Sequence, residues 1–174
     1  CNNTVTCTRT VYLDDSTVPT ITCPIDVTVT CAINVPAVNT GAVTVTDACD
    51  VTPTVTHMGD NIPNQLCANK YTLFRTYKVA DDCNNTATCV QTITVNDQIP
   101  PSNVVCPGAT TVTCENLVPA VDVNAVSATD NCGGTVTISH LTDIVSDLIC
   151  NNKQTITRVY RATDVCGNTA TCSQ

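Results

Sequence analysis

A chain of 174 residues with a net charge of −8, 13% charged residues, one Phe and no Trp has no basic patch for nucleic acid and few side chains for a large core. No apolar run approaches the ~20 residues of a membrane span. No secretory leader opens the sequence, as expected of a stretch from the interior of a longer secreted protein.

The elements follow from the residue pattern. Threonine (33) and valine (25) make up a third of the chain, and β-branched residues favour strands. Alternation of apolar and polar residues predicts strand A at ITCP, A′ at DVTVTC (26–31), B at GAVTVTD (41–47) and C at PTVTHMGD (53–60). The stretch NIPNQLCANK has room for a short D or E strand. Strand F is YTLFRTYKVAD (71–81) and strand G is ATCVQTITVND (87–97). No helical period is present. One apolar and one hydroxyl-rich face per strand describe a half-buried antiparallel sheet.

The string CNNTATCVQTITVND (83–97) occurs nearly intact as CNNTVTCTRTVYLDD (1–15) and begins again as CGNTATCSQ (166–174). The cysteines give the period: Cys7 to Cys89 is 82 residues, while Cys31 to Cys114, Cys49 to Cys132 and Cys67 to Cys150 are each 83. The chain therefore divides into the terminal strand and linker of a preceding repeat (1–16), a first repeat (17–98) and a second repeat with an incomplete last strand (99–174). The joints STVPT and DQIPPSN contain proline, which stiffens a short linker. The fold class expected is all-β, with tandem immunoglobulin-like sandwiches of about seven strands, stapled by disulfides. Six cysteines per repeat read as a disulfide framework formed outside the reducing cytoplasm; zinc is disfavoured by the absence of a Cys-x2-Cys pair.

Strand directions propose the pairing. The end of a repeat that meets its predecessor is its head, and the opposite end its tail. Cys23, Cys49, Cys83 and Cys89 fall at the head, and only Cys31 and Cys67 at the tail. Cys23–Cys89, Cys31–Cys67 and Cys49–Cys83 follow, and in the second repeat Cys106–Cys172, Cys114–Cys150 and Cys132–Cys166. Cys1 and Cys7 then need partners in a preceding repeat.

The runs ITCP, DVTVTC, TDAC, VADDCNNTATC and ITVND, with ATDNCGG and YRATDVCGNTATC in the second copy, resemble the hyalin repeat. They also resemble the immunoglobulin-like repeats of large bacterial surface adhesins, including the mobile adhesins of gliding cells. The resemblance covers essentially the whole chain, and Ala162 to Cys172 is its most specific part. It implies a sandwich fold, many tandem copies and a role in extracellular adhesion. The animal pattern has fewer cysteines and a strand-B Trp that this chain lacks, so its core packing does not carry over.

Aspartates recur at equivalent places: Asp15 and Asp97 at the joints, Asp47 and Asp130 after B, Asp81 and Asp164 after F. All gather at the head end, where clustered carboxylates suit Ca2+, a cation wanting six to eight oxygens. The competing role is acceptance of backbone N–H bonds in tight turns. His57 and His140, each three residues before an Asp (Asp60, Asp143), lack any activated nucleophile, so catalysis is not expected. The Thr-x-Thr ladders (Thr28/Thr30, Thr44/Thr46, Thr92/Thr94) are strand threonines before they are a glycan or ice site. Tyr77 and Tyr160 read as buried, with the stems of Arg75 and Arg158 covering the core edge. Asn2 and Asn84 stand in Asn-x-Thr sequons.

The expected function is that of a non-catalytic structural and adhesive segment of a long secreted or surface-anchored filament. Its partners would be neighbouring repeats and surface glycans or other cells. Two alternatives stand beside it: a short subunit polymerised by strand donation, with Cys1–Asp15 completing the strand after Cys172, and accessory binding modules of a secreted enzyme.

Overall fold

The computed structural model describes residues 1–150 and 152–174. The protein is all-β. Its strands are β1 (Thr20–Thr22), β2 (Val27–Val29), β3 (Thr44–Thr46), β4 (Thr54–Asn61), β5 (Gln65–Cys67), β6 (Lys70–Ala80) and β7 (Thr86–Asn96), then β8 (Ser102–Val105), β9 (Ser127–Thr129), β10 (Thr137–Cys150), β11 (Lys153–Thr163) and β12 (Thr169–Ser173). The only helical elements among the described residues are four 3-10 turns of three residues each. In the turns at Thr40–Ala42 and Val123–Ala125, Asn39 and Asp122 accept the backbone N–H of Gly41 and Asn124.

Four sheets form. β1 pairs antiparallel with β3, Ile21 opposite Val45. β2, β7, β6 and β4 lie in that order, with β5 added to β6. Within this sheet β2 runs parallel to β7, placing Val27 opposite Ile93 and Val29 opposite Val95. In the second repeat β8 pairs with β9, and β10, β11 and β12 form an antiparallel sheet. Strand alternation sets the core, because successive side chains point to opposite faces. Leu73, Arg75, Tyr77 and Val79 of β6 are buried at every second position, as are Gln91, Ile93 and Val95 of β7 and Arg158, Tyr160 and Ala162 of β11. Tyr77 and Tyr160 are the bulkiest fully buried side chains.

Two compact units divide the chain. Unit 1 holds Cys1–Ile25, Val38–Asp60 and Arg75–Gln91. It contains β1, β3, most of β4 and the later part of β6. Unit 2 holds Asp26–Ala37, Asn61–Phe74 and Thr92–Gln174, so it combines the Cys31 and Cys67 end of the first repeat with all of the second. Residues 1–15 form no strand, and Val5, Tyr12 and Leu13 are exposed; a single strand needs a sheet to pair with.

The disulfides correct the expected map. Cys23 is bonded to Cys89 and Cys106 to Cys172, each pair clipping the start of a repeat to its last strand, with Cα separations of 5.7 and 5.8 Å. Cys31 is bonded to Cys132 rather than to Cys67, and Cys67 to Cys166, with Cα separations of 5.0 and 5.2 Å. The expected Cys31–Cys67 and Cys132–Cys166 pairs are therefore absent. Cys49, Cys83, Cys114 and Cys150, expected as Cys49–Cys83 and Cys114–Cys150, carry free thiols, as do Cys1 and Cys7. The reason is geometric. The head of the second repeat brings Cys132 and Cys166 within the ~4.4–6.8 Å that a disulfide spans between Cα atoms of Cys31 and Cys67.

Candidate functional site

The head of each repeat is built from three turns. In unit 1, Asp47 follows β3 and closes a turn: its Oδ1 accepts the N–H groups of Cys49 and Asp50, both at 2.8 Å. These backbone donors, Asp50 foremost, hold the Asp47 carboxyl below its ordinary range against a smaller effect of burial. Asp81 follows β6 and accepts both the backbone N–H (2.8 Å) and the side-chain amide (2.9 Å) of Asn85. The intervening turn needs a left-handed residue, supplied by Asn84 with φ 68° and, in the second repeat, by Gly167 with φ 89°. Asp15 accepts from Thr17 N at 2.9 Å, and its backbone carbonyl accepts from the Asn85 amide at 3.1 Å. One carboxylate oxygen each of Asp15, Asp47 and Asp81 then lies within 4.8 Å of the others.

Unit 2 repeats the construction with the second set. Asp164 accepts from Cys166 N, Asn168 N and the Asn168 amide, all at 2.8 Å. The Asn168 amide also donates to the Asp97 carbonyl at 3.3 Å. Asp97 is 1% exposed; its Oδ1 accepts from Ile99 N, and its own N–H donates to the Asn69 carbonyl. Asp130 accepts from Cys132 N at 2.9 Å. Ligand atoms of Asp97, Asp130 and Cys132 lie within 4.8 Å of one another. Asp164, expected to complete this set, is not in the group; its oxygens face its own turn. The Cys132 sulfur is no metal ligand either, since it is bonded to Cys31.

The turn role and the cation role both leave marks. Every one of the six aspartates accepts at least one hydrogen bond from nearby backbone or asparagine groups. Three oxygens are nonetheless buried with no hydrogen-bond partner among the described residues: Asp47 Oδ2, Asp97 Oδ2 and Asp130 Oδ1. Two of these oxygens belong to Asp97 and Asp130, whose carboxylates approach within 4.8 Å of each other. Buried carboxylate oxygens without donors are costly, and a hard cation takes oxygens of this kind. Asp15, Asp47 and Asp81 supply the fuller carboxylate set, yet only one of their oxygens is both buried and unpartnered.

Cysteine state separates the two heads. Cys132 and Cys166 are bonded to Cys31 and Cys67. Their equivalents Cys49 and Cys83 are exposed thiols, and the Asp15 carboxylate, first among several causes, pushes the Cys49 thiol above its usual range. Asn69 caps the tail of the first repeat, its Oδ1 accepting from Ala32 N at 2.9 Å; Asn152 does the same for Glu115 N at 2.9 Å.

A second repeated cluster lies on β4 and β6. His57 Nε2 lies 2.9 Å from Asp60 Oδ1, and Arg75 donates to the same carboxylate at 2.9 and 2.8 Å. The His57 ring stands 5.9 Å from the ring of Tyr77. His140, Asp143, Arg158 and Tyr160 reproduce it, with Arg158 also donating to the Pro119 carbonyl at 3.0 Å. Asp60 and Asp143 are held below the usual carboxylate range, chiefly by their arginine donors. Each histidine is thus tied into a cluster with an aspartate, an arginine and a tyrosine. Sequence reasoning saw the His–Asp spacing and the Arg–Tyr alternation but missed their union across strands. It also missed Asn85, Asn168, Asn69 and Asn152, whose only signal was recurrence at the period.

No protein-family model matches the chain, and no curated protein matches it.

Proposed function

We propose that the chain is a load-bearing, adhesive stretch of tandem repeats from a secreted or surface-anchored filament, and that it performs no catalysis. The observation that carries this reading is the pair of disulfides crossing from the first repeat to the second, Cys31–Cys132 and Cys67–Cys166. A catalytic or ligand-binding module has no need of two covalent staples at a joint between copies. A strut under tension does, because a staple holds the joint at forces that would part hydrogen bonds. The four disulfides also favour an oxidising, extracytoplasmic location. No helix among the described residues is long and apolar enough to cross a membrane.

The finer fold, an immunoglobulin-like, hyalin-repeat-like sandwich, belongs to the same proposal. It is supported by the parallel pairing of β2 with β7 in a sheet where β5 runs antiparallel to β6. Partners on this reading are neighbouring repeats along the filament and glycans or other cells at its surface. Calcium belongs to it as well: the unpartnered oxygens of Asp97 and Asp130 favour a hard cation stiffening the joint.

Pulling on the two ends of the oxidised chain tests the reading. With the load path running through the Cys23–Cys89 and Cys106–Cys172 clips, the covalent path allows about 140 Å of extension, against about 590 Å for the reduced chain at ~3.4 Å per residue. Full unravelling of the oxidised chain would refute it.

A further inference from the structure

A shallow cleft of about 280 Å³ lies where the hairpin of β5 and β6 meets the end of β7. Asn64, Leu66, Lys70, Tyr71, Thr94 and Asn96 are on its wall. All of them belong to the first repeat and to unit 2. Strand alternation supplies the β7 side. Ile93 and Val95 are buried, so Thr94 and Asn96 fall on the opposite face and are half-buried. The hairpin side is fixed from both ends of its turn. Cys67, closing β5, is bonded to Cys166. Asn69, 6% exposed, accepts from Ala32 N through its Oδ1 and from Asp97 N through its carbonyl, both at 2.9 Å. The cleft therefore stands on held elements, which suits a binding site.

The wall has a consistent chemistry. It contains no acidic residue, in a chain with 15 Asp and Glu against 7 Lys and Arg. Lys70 forms no ion pair among the described residues, whereas Arg75 and Arg158 are paired with Asp60 and Asp143. The side chains of Asn64, Thr94 and Asn96 and the Tyr71 hydroxyl have no hydrogen-bond partner among the described residues either. Leu66 is 79% exposed. Tyr71 offers an aromatic body with a polar tip. The asparagine amides offer donors and acceptors together, and Lys70 offers a cation for a charge-assisted hydrogen bond to a carboxylate. A sugar ring presents C–H groups on its face and hydroxyls on its rim, and a uronic acid adds one carboxylate. The cleft has room for a single such ring.

The second repeat serves as an internal control. The counterparts 83 positions on are Asp147 for Asn64 and Gln154 for Tyr71, with Lys153 in the place of Lys70. An anionic side chain replaces an amide there, and the aromatic ring is gone.

We propose that the cleft of the first repeat binds a uronic acid residue of an extracellular polysaccharide, with Lys70 taking the carboxylate and Tyr71 the C–H face. The inference rests on the adhesive reading above and names the chemical class of its ligand. The second repeat, with Asp147 and Gln154, binds none at the equivalent place.

The test is NMR titration of the oxidised chain, which has only four tyrosine rings to follow. The probes are glucuronate and galacturonate, with glucose, galactose and acetate as controls. Both uronates should shift the Tyr71 ring, and the controls should bind roughly tenfold more weakly. Lys70→Gln should lower uronate affinity on the order of tenfold. Tyr71→Gln, which introduces the residue found at the equivalent place in the second repeat, should lower it roughly fivefold, read from the sugar resonances. Absence of uronate binding would overturn the proposal. So would equal binding of the neutral sugars or of acetate, or uronate binding unchanged in both variants. Disulfide mapping of the same samples separates the causes. Variants that keep Cys67–Cys166 have lost a contact rather than the fold. If the site fails while Cys31–Cys132 and Cys67–Cys166 are recovered, the filament reading stands without this ligand; if those bonds are missing, that reading fails as well.

Discussion

The two heads of this chain share a sequence plan and differ in state. Around Asp81 and around Asp164, an asparagine four residues on satisfies the carboxylate and reaches back to the joint aspartate. At the second head the cysteines are bonded to the tail of the first repeat, and the joint aspartate, Asp97, is 1% exposed. At the first head the equivalent thiols are free and Asp15 is only half-buried. Nearly the same local residues form a head bonded to a repeat tail in one case and a head with free thiols in the other. Local sequence builds the head, and the neighbour completes it.

The comparison is broken most directly by removing the staples. Replacing Cys31 and Cys132 by Ser deletes a bridge that spans 101 residues of sequence. It should cost about 2–4 kcal/mol in denaturant unfolding. Cys49→Ser at the open head should cost nothing measurable, because no bond is lost. Equal effects would mean that the two heads are in the same state.

Cation binding sharpens the same contrast. Ca2+ should raise the melting temperature, EDTA should reverse the rise, and Asp97→Asn should remove most of it, since Asp97 carries one of the two unpartnered oxygens at the closed joint. At a hundredfold excess over its dissociation constant, a bound ion would add about 2.7 kcal/mol. A melting curve indifferent to both calcium and chelator would dismiss the ion.

The Arg75–Asp60 and Arg158–Asp143 clusters lie away from the joints, so they should respond alike in both repeats. Arg75→Met removes a buried arginine with two short bonds to one carboxylate. The expected loss is about 1–3 kcal/mol. Acid should act through the same groups. Folding lowers the affinity of Asp60 and Asp143 for protons. Their contribution is therefore complete above the unfolded carboxylate range and is lost as pH falls below about 4. A stability profile flat through that range would contradict the assignment.

The smallest effect tests the shared plan itself. Asn168→Ala removes the amide linking Asp164 to the Asp97 carbonyl and should cost about 1 kcal/mol. Asn85→Ala at the open head should cost less, because its partner Asp15 is more solvated.

Strands were legible in the sequence because alternation is a local property. Tyr77, Val79, Ile93 and Val95 are buried on the parity that the pattern gave. Strand direction also placed Cys31 and Cys67 at one end of a repeat and Cys49 and Cys83 at the other. The partners were not legible. Six cysteines per repeat balance equally well as three internal bonds or as one internal bond with two reaching each way along a string of copies. Spacing carries no information on that choice. The Arg–Asp pairs were hidden for a related reason, since they depend on which residues of β4 and β6 lie side by side.

The most direct test of the central claim is disulfide mapping of the native chain by mass spectrometry, digested without reduction at acidic pH to prevent exchange. Peptides joining Cys31 to Cys132 and Cys67 to Cys166 are predicted, with Cys23–Cys89 and Cys106–Cys172 beside them. Cys31 joined to Cys67, and Cys132 to Cys166, would contradict the covalent joint and with it the account of how these repeats are held together.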